Sequence, residues 1–238
     1  MLQPLWRRRS ASLWLETELG LRNLDQWRDE TKVRHDRIAT ARASLYGYTN
    51  LGGGRLRIST TLSQGLGVLG ATGAKDPMAS RYDADVTFTT LNAWADWTKN
   101  LGHDFSVRVA VQSQLASQPL LIAEETGIGG TGFLRGYDWS ERTGDQGAMG
   151  MLEVRYLWKK PPALLKRAQI YTFVDGGEVS NLKAGYGGGS LSSAGGGVRA
   201  DIADRLGLTL EVAVPLSGPR YDTGDRSPKL SFRLTRSF

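Results

Sequence analysis

The chain contains no cysteine, so neither a disulfide framework nor a thiolate metal site is open to it. Its only two histidines, His35 and His103, are far apart and lack ligand spacing, so no metal is expected and both are read as loop-end residues. No uninterrupted apolar run reaches the roughly 20 residues that a membrane-spanning helix requires. G-x-S-x-G, P-loop and H-E-x-x-H patterns are all missing, which leaves an enzyme reading without a constellation. One nucleotide motif is met literally, by Gly127-Ile128-Gly129-Gly130-Thr131-Gly132. The dinucleotide fingerprint needs a buried strand before it and a helix after it, and Ala123-Glu124-Glu125 and Phe133-Leu134-Arg135-Gly136-Tyr137 supply neither. The basic excess is 30 Lys+Arg over 24 Asp+Glu, with a pI near 9.6. The arginines are dispersed one or two per segment, so no nucleic-acid footprint results. The opening MLQPLWRRRSASLW carries a basic patch but no apolar signal core or small-residue cleavage site.

What is present is period-two alternation. Leu13, Leu15, Leu19 and Leu21 share one parity and Trp14, Glu16, Glu18 and Arg22 the other, a sorting that a helix cannot produce. The same pattern recurs over 37–48, 55–62, 82–97, 105–112, 151–158, 169–179, 198–202, 206–214 and 229–238, giving about ten strands. Connections are expected to alternate between long (23–35, 66–81, 116–144, 179–191, 217–228) and short (50–54, 99–104, 159–165, 203–205). A transmembrane strand needs only about 9–11 residues with alternate ones apolar, so an outer-membrane barrel with short turns on one side and long loops on the other fits this alternation. Arg42, Arg55, Arg57, Arg108, Arg199 and Arg233 lie on the polar faces, as a watery lumen permits. Trp158 and Phe238 fall where an interfacial aromatic belt would sit. Alternation alone also allows a soluble sandwich or closed barrel with an ordinary core.

Several motifs occur in one order along the chain. They are Gly129-Gly130, Leu134-Arg135-Gly136-Tyr137, Gly144-Asp145-Gln146-Gly147 with Glu153, Phe173-Val174-Asp175-Gly176-Gly177, Gly195 to Arg199, Ala213-Val214-Pro215-Leu216 and the terminal Phe238. This set resembles the C-terminal barrel of two-partner secretion transporters, the haemolysin secretion/activation family, and more distantly the BamA-type assembly barrels. The resemblance implies an all-β fold: an antiparallel transmembrane β-barrel in the bacterial outer membrane, one domain over 1–238, with the strands matching the last ten of about sixteen. It also implies that the loop 116–144 folds into the lumen. There Arg135, whose planar fork suits carboxylates, is expected to lock onto Glu153 and Asp175, which sit at lumen-facing parity on adjacent strands. On the residues alone, Arg135 reads as a solvated loop arginine.

Gly129, Gly130, Leu134, Gly136 and Tyr137 are the expected loop motif, Phe173 and Gly177 the strand motif, and Phe238 the C-terminal assembly signal. The family's POTRA domains and first six strands are expected to be missing, which leaves a closed small barrel, an oligomer and a truncated product all open. The implied function is translocation or insertion of protein at the outer membrane, most directly secretion of a partner exoprotein. The alternative is a passive structural or pore-forming barrel. The implied partners are the lipid bilayer, a secreted client polypeptide and the outer-membrane assembly machinery, with no cofactor, no catalysis and no nucleic acid.

Overall fold

The computed structural model describes residues 1–162, 165–203 and 205–236. Eleven strands form one antiparallel meander in sequence order: β1 (Leu2–Arg8), β2 (Ala11–Arg28), β3 (Thr31–Leu51), β4 (Gly54–Leu66), β5 (Thr89–Gly102), β6 (Phe105–Ala116), β9 (Gln146–Trp158), β10 (Arg167–Ser180), β11 (Gly189–Ala203), β12 (Leu206–Pro215) and β13 (Lys229–Arg236). Two three-residue strands inside the 117–145 connection, β7 (Thr126–Ile128) and β8 (Arg142–Gly144), pair only with each other. Among the described residues β1 and β13 do not pair, so the sheet has two edges. The expected strands are present, with β1 added at the start, where the basic patch concealed the alternation.

The alternation assigns the two faces. Leu19 is 82 % exposed, Leu230 75 % and Phe232 67 %, and Leu62, Leu91, Val111, Leu152, Val174 and Val212 are exposed on the same outer face. Large side chains that water would penalise are stable there only against an apolar phase, as on the lipid-facing wall of a barrel. The opposite, inner face carries the charges and the packed loops. Buried apolar residues accordingly cluster where loops meet that face: Ile38, Ala84, Val86, Phe88, Leu120 and Leu121 in one group, and Ile128, Leu134, Tyr137, Met149, Val179 and Leu191 in another.

Two expected segments differ. Residues 23–35 are not a long loop: β2 and β3 continue through them and close on a two-residue turn at Asp29 and Glu30, with φ of 45° and 67°. Backbone ladders form regardless of side-chain polarity, and polar cross-strand pairs reinforce this one. His35 Nδ1 lies 2.6 Å from Asp25 Oδ1, Lys32 Nζ lies 3.1 Å from the same oxygen, and the Lys32 ammonium sits 5.4 Å from the Trp27 ring centroid. His35 is therefore a strand residue rather than a loop-end one, whereas His103 does occupy a tight turn at φ 49°. At about 3.4 Å per residue, the 21 residues of β3 extend to roughly 70 Å, far more than a bilayer crossing needs.

The second difference is that Tyr82 to Phe88 does not begin a strand, since β5 starts at Thr89. Its alternation is real, but Ala84, Val86 and Phe88 bury into the loop core instead of the wall. Gly65 permits this: a Cβ there would lie 1.7 Å from the Val86 carbonyl oxygen. Phe238, the expected assembly signal, lies outside the described residues.

Candidate functional site

The 117–145 connection leaves β6, makes a short 3-10 turn at Ile122–Glu124 and the β7–β8 ribbon, and lies against the inner face before rejoining the wall at β9. At its far end Leu134 takes a left-handed conformation, φ 57°, and Tyr137 N–H donates to the Leu134 carbonyl at 3.0 Å. That tight turn aims Arg135 at the wall and leaves it buried. Its Nη1 donates to Glu153 Oε2 at 2.9 Å and to Glu211 Oε2 at 2.9 Å. Its Nε approaches Asp175 Oδ2 at 3.5 Å, and its backbone N–H donates to that oxygen at 3.2 Å. The guanidinium lies 3.3 Å from the Phe173 ring centroid and 5.9 Å from that of Tyr171, so cation–π attraction adds to the ion pairs.

The structure thus brings Arg135, Glu153, Asp175 and Phe173 together. Glu211 joins the two expected carboxylates, because one terminal nitrogen is shared between Glu153 and Glu211 on different strands. Glu153 is shared in turn, with Arg155 Nε at 2.5 Å and with Arg199 at 2.9 and 3.1 Å. Three guanidiniums therefore face three carboxylates, Glu153, Asp175 and Glu211, so the formal charges balance in a cluster of which Arg135, Glu153 and Asp175 are buried and Arg155, Arg199 and Glu211 half-buried. That balance is what makes burial of so many charges tolerable.

The glycines and small residues set the approach. A Cβ on Gly136 would lie 2.8 Å from Ser193 Cβ and 3.1 Å from the Pro215 nitrogen, and one on Gly177 would lie 2.7 Å from Met149 Cβ and 3.1 Å from Leu134 Cδ1. Gly129 and Gly130 hold φ of 113° and 114°, a region closed to other residues at low cost. Gly136 N–H donates to Ser193 Oγ at 3.1 Å, and Ser193 Oγ donates to Asp175 Oδ1. The Tyr137 ring is buried, and its hydroxyl meets Ser217 Oγ at 3.1 Å and donates to the Gly218 carbonyl at 3.0 Å.

Further anchors were not singled out from the sequence. Glu211 stands at inner-face parity on β12 and was visible by that parity alone, but its order along the chain gives no reason to pair it with Arg135. Asp145, quoted above only as part of a motif, is fully buried. It pairs with Arg81 Nη1 at 2.7 Å and accepts the Leu120 and Leu182 N–H groups, each at 2.7 Å, joining three long loops at one carboxylate. Glu124 ties the same connection to Arg42 of β3 at 2.9 Å and to Arg22 of β2. Lys229 of β13 holds Asp138, and its ammonium keeps that carboxyl below the usual carboxylate range.

The Gly-rich loop, the buried arginine and the strands β9 and β10 that bear Glu153 and Asp175 lie within the stretch, residues 3–200, that matches the family model "Haemolysin secretion/activation protein ShlB/FhaC/HecB". The chain belongs to this haemolysin secretion/activation family. The family's barrels are outer-membrane secretion channels and not enzymes, and this chain is placed in the outer membrane accordingly. Solved structures that share the fold include two CdiB proteins. CdiB from Escherichia coli superposes with a TM-score of 0.83 at 16% identity, over 100% of this chain and 44% of that one. CdiB from Acinetobacter baumannii gives 0.77 at 18% identity, over 100% and 41%. The chain therefore spans less than half the length of either. No curated protein matches it. Glu211 falls beyond the stretch matched to the haemolysin secretion/activation family, whereas Arg135, Glu153 and Asp175 fall inside it.

Proposed function

We propose that this chain secretes a partner exoprotein across the outer membrane through a β-barrel whose lumen loop, residues 116–144, is locked in place by Arg135. Residues 1–238 act as one barrel domain. The client passes as an unfolded polypeptide along the inner face, with no chemistry and no cofactor, and the outer-membrane assembly machinery inserts the barrel, reading Phe238 as its signal. The observation carrying this reading is the neutral cluster of Arg135, Arg155 and Arg199 with Glu153, Asp175 and Glu211, formed where loop meets wall in a member of a secretion family. Such a cluster holds the loop without welding it, because Glu153 keeps two guanidinium partners, Arg155 and Arg199, when its contact with Arg135 breaks.

The test is to delete the gene in its host and compare secreted proteins by mass spectrometry, with complementation by wild type and by Arg135→Ala. One large protein should vanish from the medium on deletion and return with wild type. An unchanged set of secreted proteins, together with stable single-channel conductance of the purified chain, would replace this reading with that of a passive pore.

A further inference from the structure

Three of the seven tryptophans stand in Trp-x-Arg/Lys triplets: Trp6-Arg7-Arg8, Trp97-Thr98-Lys99 and Trp158-Lys159-Lys160. They start on β1, β5 and β9, three strands that all run toward the short-turn end of the sheet, and each triplet lies within three residues of its strand's end there. Register puts the tryptophans on the outer face. Trp6 pairs across from Leu13 and Arg8 from Ala11. Trp97 is flanked by Leu56 and Val109, and Lys99 by Val107. Trp158 shares parity with the exposed Leu152 and Val154. In every triplet the indole lies deeper on the wall and the cation two residues nearer the rim, which is the depth order of acyl boundary and headgroup phosphate. Arg8 lies 5.2 Å from the Trp6 ring centroid, and Trp97 Nε1 donates to the Leu51 carbonyl at 2.9 Å, so two of the indoles are held in place. Arg8, Lys99 and Lys160 form no ion pair among the described residues, whereas the neighbouring Lys159 is taken by Asp104 at 2.9 Å.

We infer that these three triplets form an anchor for anionic phospholipid headgroups in the leaflet at the short-turn rim. In the sheet, β1 and β5 are four strand steps apart and β5 and β9 two, roughly 19 and 10 Å at about 4.8 Å per strand. A small anion cannot reach from one triplet to the next, while a leaflet presents phosphates along the whole wall. The long-loop end has no counterpart: Trp27 is covered by Lys32, but that hairpin tip also carries Asp25, Asp29 and Glu30, and Lys32 is paired to Asp25. The anchor acts on barrel depth and local lipid composition and is independent of client transport.

The test reconstitutes the full chain in phosphatidylcholine bilayers and reads tryptophan quenching by dibrominated phosphatidylglycerol against dibrominated phosphatidylcholine. Wild type should be quenched by the anionic lipid at about two- to fivefold lower mole fraction, an advantage that about 0.5 M salt removes. In the triple variant Arg8→Gln, Lys99→Gln, Lys160→Gln the ratio should fall to about one, while Lys32→Gln keeps it. Far-ultraviolet circular dichroism and heat-modified gel mobility confirm that each variant is folded. Equal quenching by the two lipids in wild type, or a preference that survives in the folded triple variant, overturns the inference. So does full competition by soluble glycerol phosphate, which would make the ligand a free phosphate rather than a leaflet.

Discussion

Replacing Arg135 by alanine tests the lock directly. The substitution leaves two guanidiniums against three carboxylates. Glu153 keeps Arg155 and Arg199, so the loss concentrates on Glu211, left with the Tyr171 hydroxyl at 2.8 Å, and on Asp175, left with Ser193 and a backbone N–H. Breaking a buried ion pair costs about 3–5 kcal/mol, and the sharing within the cluster puts this case at the low end, about 3 kcal/mol. At about 1.4 kcal/mol per decade, the population with the loop lifted off the wall should rise by roughly 100-fold. Amide hydrogen exchange of a peptide covering 133–137, read by mass spectrometry on the protein in bilayers, reports that population when reclosing is fast. Exchange should accelerate about 100-fold at Gly136 and Tyr137, while the wall strands β9 and β10 stay protected. Arg135→Lys should fall between, because an ammonium keeps the charge but lacks the guanidinium's planar fork of donors and its stacking surface on Phe173. If exchange in Arg135→Ala matched wild type, Arg135 would be a passenger of a loop held by packing, and the reasoning would be refuted.

Three other outcomes follow from the same contacts. Gly136→Ala places a methyl 2.8 Å from Ser193 Cβ and against Pro215 backbone, so it should destabilise loop docking by about 1–3 kcal/mol, seen as faster exchange over 133–137 with Arg135 unchanged. Asp145→Asn removes the charge opposite Arg81 but keeps an acceptor. It should cost about 1–2 kcal/mol and loosen 118–122 and 181–184 together; loosening of one segment alone would contradict a shared anchor. The Asp138 carboxyl is held below its usual range by the Lys229 ammonium, so its contribution is present above the unfolded-state value near pH 4 and is lost as pH falls through the lower folded value. Stepwise acidification below about pH 4 should therefore free the Asp138–Lys229 tether in wild type and have a smaller effect in Lys229→Gln, where Arg220 at 3.9 Å still faces the carboxyl, as read by exchange over 138–141.

How much of this was legible in the chain varies by element. The outer face was readable residue by residue, because a wall strand exposes every second side chain to lipid and Leu152, Val154, Val212 and Leu230 obey that rule alone. The same rule misread Tyr82 to Phe88, where alternation served a loop core, and it missed β1, where arginines fill the pleat. Residues 23–35 were misjudged because polarity was taken as loop character, although hydrogen-bonded strand pairs beyond the bilayer need no apolar face. The ordered motifs pointed to Arg135, Glu153 and Asp175 through the family resemblance they carry, since on the residues alone Arg135 reads as a solvated loop arginine.

The chain by itself thus determined the all-β class, most of the strands and their two faces, all of which depend on spacing within short segments, while Arg135, Glu153 and Asp175 were reached through the family resemblance. Only the tertiary structure decided that Arg135 splits one nitrogen between Glu153 and Glu211, that Arg155 and Arg199 balance the cluster, and that Asp145 gathers three loops. Apart from Arg155–Glu153, those contacts join residues 18 to 76 positions apart on separate strands and loops, and a contact of that kind is set by sheet order, register and loop path, which no single segment encodes.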